Sequence, residues 1–422
     1  MKRITGFVCL ALLCMPLAAR GQLPAWRYEV VGGKEDLKNV IVALPLDLKK
    51  GTYAYAFMVL PVGGQKSLYA QYLSEGRLGS DKPELLVLIP ELKSGQTMEL
   101  DIRGVPPPPG ILPPPRLQWR VQGSETHQLC LYERGKFTPV LSYTQFTFDP
   151  KATPPKKTPL ENPTIKPYHH VYDSTGAVLL TNGPDGKFPH HRGIYFGFNN
   201  ISYSGKKADV WHCRNGESQR ADPKQIRLNG GWFGLHRLNV GWHGQDGAKF
   251  ADETRELAAF EMPGGTLIDF RSQLMTDLAD GVKLDGDPQH AGFHFRANAK
   301  VEGTAKKTYF LRPDGKGKEG EEKNWEPKSK KGPVNLPWNA MCFELEGKRY
   351  TVVYLDHPDN PKEVRQSERT YGRIGTYFEY QLTKEKPLFV RYRLWIQEGE
   401  MTVDQCDAMS KAFAAKLQAA KK

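Results

Sequence analysis

The stretch QHAGFHFRANAK, residues 289–300, alternates apolar and polar side chains with the period of a β-strand. One face of this predicted strand is apolar and suits a protein core: Ala291, Phe293, Phe295 and Ala297. The other face combines imidazoles and a guanidinium with a glycine gap: His290, Gly292, His294 and Arg296. Exposed strand faces more commonly carry threonine, lysine, glutamate or serine, so this face predicts the floor of a cleft. An ordinary solvated strand face is the alternative.

A second stretch, HHRGIYFGF at 190–198, has the same character. If all of it is a strand, one face is mostly apolar: His190, Arg192, Ile194, Phe196 and Phe198. The opposite face holds an imidazole, a phenol and two gaps: His191, Gly193, Tyr195 and Gly197. Glycines on a strand let a ligand or another backbone approach closely, and Tyr195 beside such a gap is placed to stack on a sugar ring.

The chain as a whole predicts an all-β protein, because short aromatic or β-branched runs alternate with turn residues and long amphipathic helices are lacking. We expect a small, immunoglobulin-like β-sandwich at 22–104 and a large β-sandwich at 117–400. Between them, VPPPPGILPPPR at 105–116 predicts an extended proline-rich linker, since proline fixes φ and has no N–H for a sheet. The alanine- and lysine-rich segment 401–422 predicts a helical tail.

The first 21 residues predict a secretory signal peptide, cleaved before Gln22, and hence a periplasmic or secreted protein. Two basic residues precede an apolar stretch, and small residues occupy the positions that a signal peptidase reads. No later stretch approaches the roughly 18 apolar residues that a membrane span needs. Four cysteines follow this segment without a CxxC pair, which argues against a structural zinc site and leaves one or two disulfides open.

The formal net charge of +12 does not indicate a nucleic-acid partner. Much of the positive charge lies in lysine-rich loops, and no basic stripe is interleaved with aromatic residues. A solvated surface explains the charge, with attraction to an acidic glycan as the other interpretation.

Histidines and arginines concentrate in a few motifs, and this concentration predicts a polar site. The candidate catalytic residues are the imidazoles His191, His290 and His294. The candidate substrate-binding residues are Arg192, Tyr195, Trp211, Arg296, Arg369, Tyr371 and Arg373. In a metal-assisted version, four histidines bind a divalent metal: His190, His191, His212 and His294. The alternative for Arg369 and Arg373 is pairing with Glu379 or Glu368 at the surface, and the alternative for Cys213 as a nucleophile is a buried, inert thiol.

The motifs FPHHRGIYFGF, DVWHCRNGE, HAGFHFRA and RTYGRIGTYFEYQL resemble a bacterial family of unknown function once labelled "methane oxygenase PmoA". The similarity runs from about Val140 to Met401. The resemblance implies a secreted or periplasmic β-rich protein of glycan-degrading bacteria, with a mutarotase-like supersandwich as the suggested fold. The historical label is not carried over, because the subunit it refers to spans a bilayer.

These observations favour a carbohydrate-active protein, a glycan hydrolase or lyase with a site lined by histidine and arginine. The alternative is a non-catalytic glycan-binding or envelope-associated protein, which the lack of an evident carboxylate pair in the histidine-rich motifs favours slightly. Substrate, cleaved bond and oligomeric state stay open from sequence.

Overall fold

Twenty-eight strands and one α-helix make up most of the protein in a computed structural model, which describes residues 25–48, 56–80, 82–106 and 114–422. The N-terminal strands are β1 (Ala25–Val31), β2 (Leu37–Pro45), β3 (Ala56–Pro61), β4 (Ala70–Leu73), β5 (Glu84–Leu92) and β6 (Thr97–Val105). They form two antiparallel sheets that enclose a core of valine, leucine and isoleucine. The predicted small β-sandwich is therefore present.

The rest of the chain supplies strands β7–β28 and helix α1. The first group is β7 (Leu117–Gln122), β8 (Thr126–Glu133), β9 (Lys136–Thr144), β10 (His170–Val171), β11 (Ile194–Phe198), β12 (Asn200–Tyr203) and β13 (Lys206–Ala208). The second is β14 (Ser218–Leu228), β15 (Phe233–His243), β16 (Lys249–Met262), β17 (Gly265–Met275), β18 (Val282–Asp285), β19 (Ala291–Arg296), β20 (Tyr309–Arg312) and β21 (Gly315–Lys316). The last is β22 (Trp338–Leu345), β23 (Lys348–Asp356), β24 (Arg365–Arg369), β25 (Arg373–Tyr377), β26 (Tyr380–Leu382), β27 (Leu388–Glu398), α1 (Val403–Ala414) and β28 (Gln418–Lys421).

A nine-stranded antiparallel sheet, in the order β14-β15-β16-β17-β27-β23-β22-β20-β21, is the centre of the large unit. Three four-stranded sheets accompany it: β10-β9-β8-β7, β11-β19-β25-β24 and β13-β12-β18-β26. An aromatic core, in which Phe270 of the large sheet packs on Phe196 and Phe293, joins one of its faces to these smaller sheets. The all-β sandwich fold predicted from the alternation of short strands is confirmed.

The other face of the nine-stranded sheet is covered by the N-terminal sandwich and by α1. Leu86 and Leu88 of β5 share a core with Phe260 of the large sheet, and Cys406 of α1 is buried in the same cluster. A strand that is buried on both faces has a nearly continuous run of apolar residues, and this explains the apolar sequence TVVYL in β23. The proline-rich linker falls largely outside the described residues, but the sandwich before it is docked onto the large unit.

The C-terminal segment differs from the predicted helical tail. Helix α1 ends at Ala414, and the chain then adds β28 to the edge of β1, with Ala419 opposite Val30. The two ends of the described chain therefore meet in one sheet. The predicted signal peptide lies outside the described residues. Within the described part of the chain, no helix combines the length and the apolar character that crossing a membrane requires.

Cysteine chemistry contributes little to this fold. The four cysteines that the structure describes are all buried and unpaired: Cys130, Cys213, Cys342 and Cys406. Burial raises the pKa of the Cys213 thiol to about 12, and its Sγ lies 3.2 Å from the carbonyl oxygen of Val210. Because the thiolate is the reactive form, Cys213 is an inert core residue and not a nucleophile.

Candidate functional site

The sheet β11-β19-β25-β24 is the platform of the candidate site. Tyr195 lies opposite His294, and His294 lies opposite Gly375, so these three positions share a face. A Cβ atom at Gly375 would lie 2.3 Å from Cδ2 of His294. Glycine at this position therefore lets the imidazole lie directly against the neighbouring strand.

The alternation predicted for residues 289–300 is confirmed in its apolar half. Ala291, Phe293 and Phe295 are fully buried in the aromatic core. The polar half is not the open cleft floor that we expected, since His294 is 2% exposed and Arg296 is 1% exposed. Loops from neighbouring strands fold over this face and enclose it.

The stretch HHRG does not continue the strand, contrary to the alternation applied to 190–198. Strand β11 begins at Ile194, and residues 190–193 form a loop that precedes it. Gly193 has φ +36°, and a Cβ there would lie 2.1 Å from the carbonyl oxygen of His169. The close approach of these two backbones turns the chain before β11, so His190 and Arg192 leave the strand face that was predicted for them.

His294 is held by the fold on both ring nitrogens. Nε2 donates to the carbonyl oxygen of Ala291 at 2.8 Å, and Nδ1 accepts from Arg373 at 2.9 Å. The ring of Trp211 covers it edge-on at 4.6 Å between centroids. With no ring nitrogen left, His294 does not fit the predicted role of metal ligand. Because both ring nitrogens are engaged in hydrogen bonds within the fold, His294 is not available for proton transfer to a substrate. It supports the site from below.

Two of the predicted substrate-binding residues hold loops in place. Arg192 is buried and donates to the carbonyl oxygens of Leu160 and Asn162 at 2.7 and 2.9 Å. The hydroxyl of Tyr195 donates to the carbonyl oxygen of Val210. These contacts fix the segments on either side of the site, and neither side chain has a surface that faces solvent.

Arg369 has a glutamate partner, as the alternative interpretation held, but this partner is Glu322 and not Glu368 or Glu379, and Arg296 has a glutamate partner as well. Arg296 donates to Glu302 at 2.8 Å and lies 4.7 Å above the ring of Tyr371. Arg369 donates to Glu322 at 3.0 Å. Both guanidinium groups are therefore neutralised within the fold.

Arg373 differs from Arg296 and Arg369 because it has no carboxylate partner among the described residues. Its side chain is completely buried, yet its hydrogen-bond partners in the described residues are neutral groups on His294, Ser367 and Tyr371. Burial lowers the pKa of Arg373, but a guanidinium stays charged in proteins. It therefore places one positive charge directly beneath the site.

Four imidazoles meet above this platform: His190, His191, His212 and His290. The ring centroid of His190 lies 4.2 Å from that of His191 and 4.7 Å from that of His212. The ring of His290 lies 4.6 Å from that of His212 and 5.3 Å from that of His191. We call these four residues the histidine cluster. It gathers three sequence motifs that are far apart in the chain.

Each of two cluster histidines is supported by an aspartate three residues before it. His212 Nδ1 lies 2.7 Å from Asp209, and His290 Nδ1 lies 3.0 Å from both carboxylate oxygens of Asp287. Such a carboxylate fixes the imidazole tautomer with the proton on Nδ1 and leaves Nε2 for a ligand or a proton. The repeated pattern D-x-x-H, in DVWH and DPQH, is the sequence signal for these aspartates that our site assignment missed.

Burial favours the neutral form of His190, His191 and His212. It lowers the pKa of His190 to about 2, with further lowering from His212 and Lys166, and it lowers the pKa of His191 well below its usual value. Burial also lowers the pKa of His212, against the opposing effect of Asp209. Neutral imidazoles accept protons and bind metals, whereas imidazolium ions do neither.

Lys166 lies behind the cluster and was not recognised from sequence. Its ammonium group donates to the carbonyl oxygen of His190 at 2.8 Å and to that of Trp211. It also lies 4.2 Å above the ring of Tyr195. Its two hydrogen bonds tie the loops of His190 and Trp211 together beneath the histidines. Burial lowers the pKa of Lys166 to about 7.

An aromatic wall borders the cluster on one side. The rings of Phe188 and Tyr371 lie 4.6 Å apart at an angle of 31°, and both residues are half-buried. The ring of Tyr371 is 6.4 Å from that of His191. Trp211, also predicted to bind substrate, instead lies under the cluster, 5.7 Å from His191, and is buried. Partly open aromatic faces beside several polar groups are typical of small-molecule sites.

The chain belongs to a protein family of unknown function, DUF6807, whose sequence profile matches residues 138–411. This match gives no support to the older label "methane oxygenase PmoA". The family region contains every member of the histidine cluster and the aromatic wall, whereas the N-terminal sandwich lies outside it.

Among solved structures, the chain is similar to a galactose mutarotase-like protein from Clostridium acetobutylicum. The two share 10% identity with a TM-score of 0.35, over 68% of this chain and 99% of the other. It is also similar to a galactose mutarotase related enzyme from Lactobacillus acidophilus, at 9% identity and a TM-score of 0.28, over 56% of this chain and 95% of the other. No curated protein matches the chain.

Proposed function

We propose that this protein is a carbohydrate-active enzyme, a glycan hydrolase or lyase, and that the histidine cluster with its aromatic wall is the active site. The observation that carries the proposal is the convergence of two aspartate-supported histidines, His212 and His290, with rings 4.6 Å apart. Two such groups side by side are suited to proton transfer in both directions within one site.

His212 is the general acid or base in this proposal. Asp209 holds its Nδ1, and Nε2 has no hydrogen-bond partner among the described residues. Breaking a glycosidic bond requires a proton on the leaving oxygen, and it also requires removal of a proton from water or from a sugar carbon. A neutral imidazole whose Nδ1 proton is held by a carboxylate first acts as the base, taking a proton onto Nε2 from water or from a sugar carbon, and the imidazolium then returns that proton to the leaving oxygen.

The substrate class follows from the groups that face outward. Phe188 and Tyr371 present partly exposed ring faces, and His290 is the most exposed cluster imidazole, with 23% of its side chain accessible. Flat apolar faces next to hydrogen-bonding groups match the alternating C–H and hydroxyl surfaces of a sugar ring. The buried charge of Arg373 favours a substrate that carries or develops negative charge.

The proposal is tested by incubating the purified protein with neutral and uronate-containing glycans. Reducing-end release indicates hydrolysis, and formation of an unsaturated product indicates a lyase. We expect His212→Ala and Asp209→Asn to lower turnover by about 100-fold or more. His243→Ala is the matched control, because this half-buried histidine bonds to Gly247 away from the cluster. Wild-type turnover by His212→Ala would remove the assignment.

A non-catalytic glycan-binding protein is the second candidate, and one observation favours it. His190 and His212 are only 9% and 7% exposed, so a substrate has limited access to the cluster as it stands. This candidate predicts glycan affinity that depends on Tyr371, with no product after prolonged incubation. Detection of any product that disappears in His212→Ala would exclude it.

The site of action is proposed to be the periplasm or the extracellular space, because residues 1–21 have the pattern of a cleaved secretory leader. Expression of the whole gene in a bacterial host, followed by cell fractionation and N-terminal mass spectrometry, tests this part. We expect the mature chain to begin at Gln22 and to leave the cytoplasm; an unprocessed cytoplasmic chain would contradict it.

A further inference from the structure

We propose that His190, His191 and His290 form a binding site for one divalent transition-metal ion of the zinc class. The inference deepens the proposed function. The catalytic use of the ion rests on that function, but the binding of the ion by the three histidines does not. Within the described residues, these three side chains each bring a ring nitrogen to within 4.8 Å of the other two. Imidazole nitrogen is a preferred ligand of Zn²⁺, Ni²⁺, Cu²⁺ and Fe²⁺.

The distances between the three ring nitrogens fit a site that contracts when an ion binds. A tetrahedral zinc with nitrogen ligands at about 2.0–2.1 Å holds those nitrogens roughly 3.3 Å apart. From separations within 4.8 Å, the nitrogens need to approach one another by about 1.5 Å or less, a movement on the scale of side-chain adjustment in the loop that carries His190 and His191. Three protein ligands leave one position open, as in catalytic zinc sites and unlike structural ones.

Unpartnered nitrogens point to a missing ligand at this place. Both ring nitrogens of His190 are buried without a hydrogen-bond partner in the described residues, and so is Nδ1 of His191. Nearly all buried polar atoms in proteins are paired, because desolvating an unpaired one costs free energy. Coordination to one ion between these adjacent imidazoles uses one nitrogen of each ring and so gives a partner to one unpaired nitrogen of His190 and to Nδ1 of His191.

His290 carries the outer contact that metal-binding histidines usually have. Asp287 accepts from its Nδ1 at 3.0 Å, so Nε2 is the free nitrogen. Asn199 also donates to the Asp287 carboxylate at 2.7 Å, so the carboxylate that holds the ring is itself held in place. Carboxylate–histidine–metal arrangements orient the ring and strengthen it as a ligand.

The local charges admit a dication. Arg373 and Lys166 are basic groups near the cluster, but each is bonded to other groups: Arg373 to His294 and Lys166 to two backbone carbonyls. Two carboxylates lie close by: Asp287 bonds to the proposed ligand His290, and Asp209 bonds to the neighbouring His212. His212, whose ring lies 4.6 Å from that of His290, has its own aspartate and is not among the three residues whose nitrogens lie within 4.8 Å of one another.

The test uses full-length mature protein purified without a polyhistidine tag. Titration of the chelator-treated protein with Zn²⁺ by calorimetry, and with Co²⁺ by visible absorption, is expected to give one equivalent per chain. His190→Ala and His290→Ala are expected to lose this equivalent. Asp287→Asn is expected to weaken binding by about 10–100-fold, the usual effect of removing an outer carboxylate. His243→Ala, altered away from the cluster, is expected to bind as the wild type does.

Absence of saturable binding in the wild type, or unchanged binding in His190→Ala and His290→Ala, would overturn the inference. Circular dichroism of the metal-free variants checks their folding, and His290→Gln, which keeps a donor for Asp287, replaces any variant that fails to fold. Metal binding without glycan turnover would leave this site standing and remove the proposed function. Glycan turnover that persists in chelated, metal-free protein would leave the proposed function standing and remove the use of the ion in it.

Discussion

Gly375 shows how one missing side chain determines the position of a buried imidazole. The ring of His294 occupies the space that a Cβ at this position would need, at 2.3 Å. We expect Gly375→Ala to displace the ring and break its contact with Arg373, lowering the free energy of unfolding by about 1–3 kcal/mol. Urea denaturation measures the change.

Gly303→Ala is the control for this substitution, because nothing lies within 4 Å of a Cβ built at Gly303. It is expected to leave stability nearly unchanged. Equal unfolding midpoints for the two alanine variants would mean that His294 is less tightly placed than its contacts indicate.

The buried pair His169 and His236 should make the protein sensitive to acid. Their rings are joined by a hydrogen bond of 2.8 Å, and burial holds the pKa of both well below the ordinary value of 6.5. Above pH 6.5 neither the folded nor the unfolded chain binds protons at these positions. Below it only the unfolded chain does, so stability falls by about 1.4 kcal/mol per pH unit for each histidine.

His236→Gln removes one of these protons, so the loss of stability between pH 6 and pH 5 should become shallower by about 1.4 kcal/mol per pH unit. Urea unfolding at pH 8, 6 and 5 measures it. Wild type and variant should have the same slope above pH 7, which is the internal control. Parallel curves down to pH 5 would show that His236 is not held neutral in the fold.

The short strand β28 is an element whose placement depends on the other end of the chain. Its residues pair with β1, and Lys422 after it lies within ion-pair distance of Glu29 and Glu99. Removing residues 416–422 exposes an edge of the N-terminal sandwich. We expect the truncated protein to unfold several degrees lower and to be cut faster by protease within residues 25–106.

Lys421→Ala is the comparison for this truncation, because Lys421 is exposed and its backbone still pairs with Tyr28. It is expected to match the wild type in thermal unfolding and in proteolysis. If the truncated chain also matches the wild type, β28 makes no net contribution to the sandwich.

Docking of the N-terminal sandwich onto the nine-stranded sheet is the main structural feature that joins the two halves of the molecule. Arg77, 1% exposed, forms a buried ion pair with Glu256, which also accepts from Arg237 at 2.6 Å. Asp269 lies 3.5 Å from Arg77 and 2.6 Å from Arg393. Apolar contacts of β5 with the sheet surround this network.

Arg77→Ala should therefore remove one of the two arginines that face each of the buried carboxylates Glu256 and Asp269, and lower the free energy of unfolding by about 3–5 kcal/mol, the cost of breaking a buried ion pair. Calorimetry is expected to replace one cooperative transition with two, because the sandwich no longer unfolds with the large sheet. Arg103→Ala, on an exposed position of the same sandwich, serves as the control. A single unshifted transition in Arg77→Ala would contradict a docked interface.

The alternation of apolar and polar residues along the sequence was enough to predict strands such as β19. Ala291, Phe293 and Phe295 could be assigned to one buried face because side chains of a strand alternate, whatever the strand packs against. The same reasoning failed at His190 and Arg192, where a turn at Gly193 ends the alternation just before β11. It also could not show that His294 faces a second buried layer, because period alone does not reveal what covers a face.

The local amino-acid order thus specified the secondary structure, the all-β class and the residue types of the site. The membership of the site depended on long-range packing. His190, His212 and His290 belong to loops of different strands, and their distances follow from sheet register and loop closure, neither of which is encoded in one short segment. The same packing placed His294 out of reach of a ligand and brought Asp209 and Asp287 beside the histidines, since contacts between distant segments form only when the sheets stack.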